Sequence, residues 1–436
     1  MCVQNNYSVT LILLIVLVTF SSATGWAGND AAGAPPSLAA IIAQALEQNP
    51  ELKASEARWA AFVEQARQAG ALEDPMLMLR AQNLLIGYPL EFDRETMTAK
   101  VIGVSQTVPF FGKRDLQRQI ARQQVEISRW ELEERKIELT RMIKETWYRL
   151  LFVDRSLEIV DKNITVLDDL NRLSETFYSV GRGLQQDVLG AQVERSRAEE
   201  MRITLGQQRR SLEIALNNLR FLPADTPVTP AAPLELTELD LDGARLEEIA
   251  LAHRPRLKEI AAAEERARAA EQLAEKDFYP DVTFTLEYMQ REPAMGEPGD
   301  DMYSAGLSFN LPVQRERRHA MVAEAGAEIR MAQAERDMTL NRIRQGIADS
   351  LANLERARRL AELYERSIIP QADQALHATM AAYGSGKADF PAVLESQAAL
   401  FTFERDGIEA VADHQMQLAA LEAVIGATLP RPPENN

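Results

Sequence analysis

The sequence predicts a mainly α-helical fold with membrane-type β-strands, in which one strand-and-hairpin unit is repeated in tandem. Three observations predict it. The chain says the same thing twice: Asn49-Pro50-Glu51-Leu52 answers to Arg254-Pro255-Arg256-Leu257 (255 − 50 = 205). Likewise Tyr178-Ser179-Val180-Gly181, with Val188, Leu189 and Gln192, answers to Tyr383-Gly384-Ser385-Gly386, with Val393, Leu394 and Gln397 (383 − 178 = 205). A repeat of that length copies a whole substructure, unlike the repeats of about 20 to 50 residues that build solenoids. Residues 113–180 contain neither Gly nor Pro, which predicts one unbroken helix on the order of 100 Å long. Finally, alternating apolar and polar residues at 282–288 and 303–311 have the period of strands with two unlike faces.

At the N-terminus, an apolar run from Val9 to Phe20 is too short to span a bilayer. Small residues follow it at Ser21-Ser22-Ala23 and Gly25-Trp26-Ala27. That is the pattern of a secretory signal, and residues 1–27 are expected to be removed on export. Cys2, the only cysteine, would go with them, leaving a chain that has neither disulfides nor thiolate metal sites.

The first repeat is assigned to 28–222. It opens with short helices around Asn49-Pro50, then a strand pair within 75–108, in Pro75 to Gln82 and Lys100 to Val108. A helix over 113–180 follows, its seam marked by Ile143, Trp147, Leu150, Leu157, Val160, Ile164 and Leu167 at steps of three, four or seven, as in coiled-coil packing. After the turn at Gly181-Arg182-Gly183 a return helix spans 184–221. Pro223, Pro227, Pro230 and Pro233 then mark 223–242 as a linker. The second repeat, 243–427, carries a strand pair in 281–312, helices over 314–382 and 388–426, and a tail at 428–436. Pro370, three turns ahead of the second glycine turn, is expected to bend its helix.

Alternation over some ten residues is what a strand needs to cross a membrane with one face in lipid and one in water. Four such strands cannot stand alone, because an open edge in lipid leaves backbone groups without partners at several kcal/mol each. Two subunits would give eight strands, a barrel filled by its own side chains, and three would give twelve, which leaves a lumen. Helices of this length suit a conduit, which favours three.

Charge narrows the partners. A formal net charge of −17 argues against nucleic acid, which requires a basic face, and suits water or cations. His253, His319, His377 and His414 are isolated, and no nucleophile elbow or dinucleotide fingerprint occurs, so no enzymatic activity, cofactor or metal site is expected. Met76, Met78, Met97, Met289, Met295 and Met302 cluster near the strands. Thioethers favour soft ions such as Cu(I), but Met is also an apolar filler, and the filler reading is preferred. The cluster at Arg356, Arg358 and Arg359 reads as a solvated face.

In this order, Asp277-Phe278-Tyr279-Pro280, Gly306 through Pro312 and the two duplicated tip motifs resemble the TolC-like outer-membrane efflux family over nearly the whole mature chain. The resemblance implies a homotrimer whose twelve-strand barrel sits in outer-membrane lipid and continues as an α-helical barrel across the periplasm. It also implies a passive exit duct in a tripartite efflux system. A periplasmic adaptor (a membrane fusion protein) would dock at its tips, and an inner-membrane pump, which can be of the RND type, would feed it. By the same resemblance the tip is a gate, held by Asp187 paired with Tyr383. The family's arginine after the second glycine is replaced here by Ala388, with Lys387 one place earlier, and its two acidic ring positions are matched by Ala392 and Glu395. Adaptor docking would fall to Tyr178, Gly181, Arg182, Gly183, Val188 and Leu189 in the first copy, and to Gly384, Gly386, Val393 and Leu394 in the second. Gln106 through Arg114 leans toward the heavy-metal-exporting branch. The rivals are a periplasmic adaptor, which would have one hairpin and no membrane strands, and a structural coiled-coil envelope protein, which would not need 282–288 or 303–311 to alternate.

Overall fold

The computed structural model describes residues 37–230, 234–237 and 242–429; the expected signal segment 1–27 lies outside them. Each repeat opens with two short helices, α1 (Leu38–Gln48) and α2 (Pro50–Gln68) in the first, α5 (Gly243–His253) and α6 (Pro255–Lys276) in the second. The corner between them is set by the X-Pro pair, since proline is at home in the first turn of a helix and pushes the residue before it into extended geometry. Asn49 is extended there and its Oδ1 accepts from Glu51 N at 2.8 Å, capping α2. At the matching corner Arg254 supplies no cap. Its guanidinium donates to Glu134 at 2.6 Å and to the Ala423 carbonyl, tying the second repeat's corner to both repeats' helices.

The strands β1 (Met76–Gln82), β2 (Ala99–Val108), β3 (Val282–Arg291) and β4 (Met302–Phe309) form one antiparallel sheet in that order, so the two repeats join through β2 and β3. Side chains directly opposite in an antiparallel pair share a face. The register therefore puts Leu79, Ile102, Tyr288 and Tyr303 in one row, with Leu77, Val104, Leu286 and Ala305 in the next row of the same face. The other face carries Ser105, Thr285, Glu287 and Ser304; there Arg80 pairs with Glu287 at 3.1 Å and Thr107 with Thr283 at 2.9 Å. One face is made for lipid and the other for water. Strands β1 and β4 are the two edges of the sheet.

The chain leaves the sheet through a tight joint. Gly112, at φ 85°, starts the 67-residue helix α3 (Lys113–Ser179). The buried ammonium of Lys113 meets Asp277 at 3.1 Å and Asp281 at 2.9 Å, and Phe110 stacks on Tyr279 with centroids 4.6 Å apart. Residues 106–114 thus build the first repeat's strand-to-helix joint against residues 277–281 of the second repeat. The seam residues of α3 are buried or packed against the core, facing α4 (Gln185–Leu219) and, from the second repeat, α9 (Phe390–Ile425). Between them Lys144 and Glu422 form a buried ion pair, and Glu422 Oε1 also accepts from Leu429 N at 3.1 Å.

The outgoing helix of the second repeat is not continuous in the same way. It runs as α7 (Arg315–Leu363), then a π-helical turn at Tyr364–Ile368, then α8 (Ile369–Gly384), with Pro370 in the first turn of α8. From the strand-end proline to the tip tyrosine, the second copy has two more residues than the first (383 − 312 = 71 against 178 − 109 = 69). A π turn takes up an extra residue by widening locally, and it releases the proline from the hydrogen bond it cannot make. Gly407 of α9 lies against this turn; a Cβ there would come within 3.2 Å of Tyr364 Cβ.

The segment expected as a linker is a strap in its described parts. Val228 is buried, Arg209 donates to its carbonyl at 3.1 Å, and Asn217 donates to the Thr226 carbonyl at 2.8 Å. Gln415 of α9 then holds the Glu235 carbonyl at 2.6 Å and Thr237 Oγ1 at 2.8 Å. Backbone groups without a ladder find side-chain partners instead, as buried polar groups must.

Candidate functional site: the paired helical turns

The two hairpin turns share one backbone solution. In the first, Gly181 N donates to Tyr178 O at 3.0 Å and Arg182 N to Phe177 O at 2.8 Å; in the second, Gly386 N donates to Tyr383 O at 3.0 Å and Lys387 N to Ala382 O at 2.8 Å. This is the Schellman ending of a helix, which requires a left-handed residue. Gly181 and Gly386, at φ 75° and 71°, supply it. Gly183 and Gly384 do not have positive φ. Gly183 instead allows a close approach, since a Cβ there would be 3.0 Å from Tyr178 N.

Side chains make the turns unlike. Tyr383 is buried between Phe177 and Phe390, with ring centroids 5.2 and 5.3 Å away, in a core cluster that also holds Leu376 and Val393. Asp187, also buried, accepts from Leu184 N at 3.1 Å and so caps its own helix. The Tyr383 hydroxyl is buried and takes no hydrogen-bond partner among the described residues. Burial first, and then the negative charge of Asp187, raise its pKa above the ordinary tyrosine value. Within the chain, then, the negative charge of Asp187 acts on Tyr383, but the two side chains make no hydrogen bond with each other. The carboxylate is directed to a helix end, where unsatisfied N–H groups attract it.

Lys387 and Glu395 are exposed and take no ion-pair partner among the described residues. Of the expected docking residues, Tyr178, Gly181, Arg182, Leu189, Gly384 and Gly386 are exposed, while Gly183, Val188 and Leu394 are half-buried. Val393 is 0% exposed, so its side chain belongs to the tip core and is not offered to a partner. Its counterpart Val188 is half-buried, in a return helix that has Gln185 where the second has Phe390. Arg182 does more than line the turn: its guanidinium lies 5.1 Å from the Phe177 ring centroid and reaches the Gly384 carbonyl at 3.5 Å, spanning the two turns. Phe177 and Phe390 escaped the sequence reading. The signal for them was the mismatch with Ala382 and Gln185, the residues 205 positions away.

A sheet with one lipid-compatible and one polar face, set on two long helical hairpins with closed turns at the far end, defines a duct seated in a membrane. The chain belongs to the outer membrane efflux protein family, whose profile matches residues 41–222 and again 246–427. The two matches are offset by 205 at both ends (246 − 41 and 427 − 222), so the family signature falls on each internal copy. It is a family of outer-membrane efflux ducts, and the chain is an outer-membrane protein of that kind. Among solved structures the fold is similar to VceC from Vibrio cholerae (20% identity, 90% of this chain and 96% of that one, TM-score 0.76). It is also similar to the open-state MtrE channel of Neisseria gonorrhoeae (16% identity, 90% of each chain, TM-score 0.73) and to CmeC of Campylobacter jejuni (13% identity, 95% and 94%, TM-score 0.70). A comparison with curated proteins gives no match.

Proposed function

We propose that the chain is the exit duct of a tripartite efflux system. Three copies close a twelve-strand barrel and a helical tunnel, which takes substrate from a periplasmic adaptor and an inner-membrane pump. The observation that carries this reading is the sheet: four strands with an apolar and a polar face and two edges, which lipid does not tolerate unless further copies pair them. The chain supplies the path and the gate; direction and energy come from the pump. At the tip, the aromatic packing of Phe177, Tyr383 and Phe390 holds the second hairpin against the first. Glu395, whose carboxylate is exposed, then contributes to a cation-attracting ring from three subunits, and the exposed residues around Leu189 are the docking edge for the adaptor.

Conductance of the reconstituted trimer tests this. Glu395→Ala should lower the preference for cations over anions, because a charged ring at a constriction sets that preference. Tyr383→Phe should leave the closed state intact, since the hydroxyl is unpartnered, whereas Tyr383→Ala should raise the open fraction. A trimer in which Glu395→Ala and Tyr383→Ala both conduct as the parent does rules out the gate assigned here. Recovery of the protein as a soluble periplasmic product rules out the duct.

A further inference from the structure

The interruption of the second repeat's outgoing helix leaves a crevice beside it. The crevice, of about 430 Å³, is walled by α7 and α8 on either side of the π turn, by α9, by Arg155 of α3 and by the strap residues Leu234 to Leu236. Its wall on α9 includes Gly407, where a Cβ would crowd Tyr364 Cβ and Ile369 Cδ1 at 3.2 and 3.3 Å. The first repeat has Arg202 at that position (407 − 205 = 202) and an unbroken α3. The floor is aliphatic, made by Leu234, Leu236, Ile369, Ile408 and Val411 from segments far apart in the chain. A mostly apolar space of this size with a few polar groups is what a small-molecule site requires.

Charge at the crevice is one-sided. Arg155 is held by Glu158 at 2.8 Å, and Glu404 by Lys162 at 2.8 Å, so these two lining groups are already neutralised. Glu235 and Glu365 line the same crevice, are exposed, and take no ion-pair partner among the described residues. Gln415 fixes the Glu235 backbone carbonyl, so that carboxylate hangs from an anchored stretch of strap, while Glu365 belongs to the π turn itself. Among the described residues no group of three carboxylate or imidazole side chains could hold a metal ion, and a hydrated ion gains nothing from an aliphatic floor. The lining matches a ligand that is apolar in body and positive in charge.

We propose that this crevice binds a lipophilic organic monocation, the aliphatic floor taking its apolar body and the carboxylates of Glu235 and Glu365 its charge. Burial of the body supplies affinity, and the uncompensated carboxylates supply the preference for positive over negative ligands. The occupant rests against Ile369 and Gly407, and so against the π turn. The site stands apart from the duct reading, because it is formed within one chain and needs no conducting path.

The test uses the full-length protein in detergent and sodium buffer, with tetraphenylphosphonium and tetraphenylborate as probes of like size and opposite charge. Equilibrium dialysis should show the cation binding at least about tenfold more tightly than the anion. Glu235→Gln with Glu365→Gln should abolish that preference. Amide exchange with the cation bound should slow most around residues 361–369 and 404–411 of the parent. Equal binding of the two ions overturns the proposal, as does a preference that survives in the double variant. Protection confined to other helices overturns it too, since the cation then lies elsewhere. A protein that does not conduct but binds the cation in this way loses the duct and keeps the site, so the two failures are separable.

Discussion

The two hairpins of this chain use the same backbone to opposite ends. The first is a single unbroken 67-residue helix turning at Gly181 into a return helix whose opening residues, Leu184 to Gln186, are exposed. The second is interrupted by the π turn at Tyr364–Ile368, and its return helix opens on Phe390, buried against Tyr383. Their capping hydrogen bonds match to within 0.1 Å, yet Val393 is core where Val188 is half-exposed. Duplication preserves what the backbone demands, while side chains are free to diverge wherever the turn's geometry does not involve them. The first tip is left open to contact and the second is held by aromatic packing.

The largest effect on this comparison comes from the base both hairpins share. Glu422→Ala leaves Lys144 buried without its partner and should cost about 3–5 kcal/mol, seen as a lower thermal midpoint of the helical circular dichroism signal. Changing both partners to Met should recover most of that loss. If the single and double variants melt alike, the pair does not join the hairpins.

Next comes the aromatic difference. Phe390→Ala should cost about 3–4 kcal/mol and speed amide exchange around Tyr383, while Gln185→Ala at the matching exposed position should stay within about 0.5 kcal/mol. Similar costs at the two positions would erase the asymmetry proposed for the tips.

The smallest effect tests the shared backbone. Gly181→Ala and Gly386→Ala each place a Cβ in left-handed geometry, and at neither position does that Cβ meet anything within 4 Å. The cost is then backbone strain alone, about 1–2 kcal/mol, and equal at the two turns when followed by amide exchange in each. A marked inequality would show that the turns are not equivalent after all.

How much of this was legible in the sequence follows from the range of the interactions involved. The glycines at 181 and 386, the strand alternation and the seam from Ile143 to Leu167 are local or periodic, and each leaves a pattern within a few residues. Phe390 leaves none, because its partners Tyr383 and Phe177 lie on other helices and only the comparison between copies marks it. Pro370 announced an interruption, but not that a π turn six residues earlier would absorb it. The direction taken by Asp187, to its own helix end and not to the Tyr383 hydroxyl, depends on a competition between neighbours that are visible only once folded.

The sequence by itself determined the duplication, the long helices, the two-faced strands and the places where the chain must turn, since propensity, period and proline or glycine geometry act along the chain. Only the tertiary structure decided that β2 and β3 join the copies, that Lys144 meets Glu422 across 278 residues, that Val393 is enclosed, and that the strap walls a crevice beside the π turn. Those facts depend on register and on which surfaces meet, and burial is a property of the assembled neighbours, not of the residue that is buried.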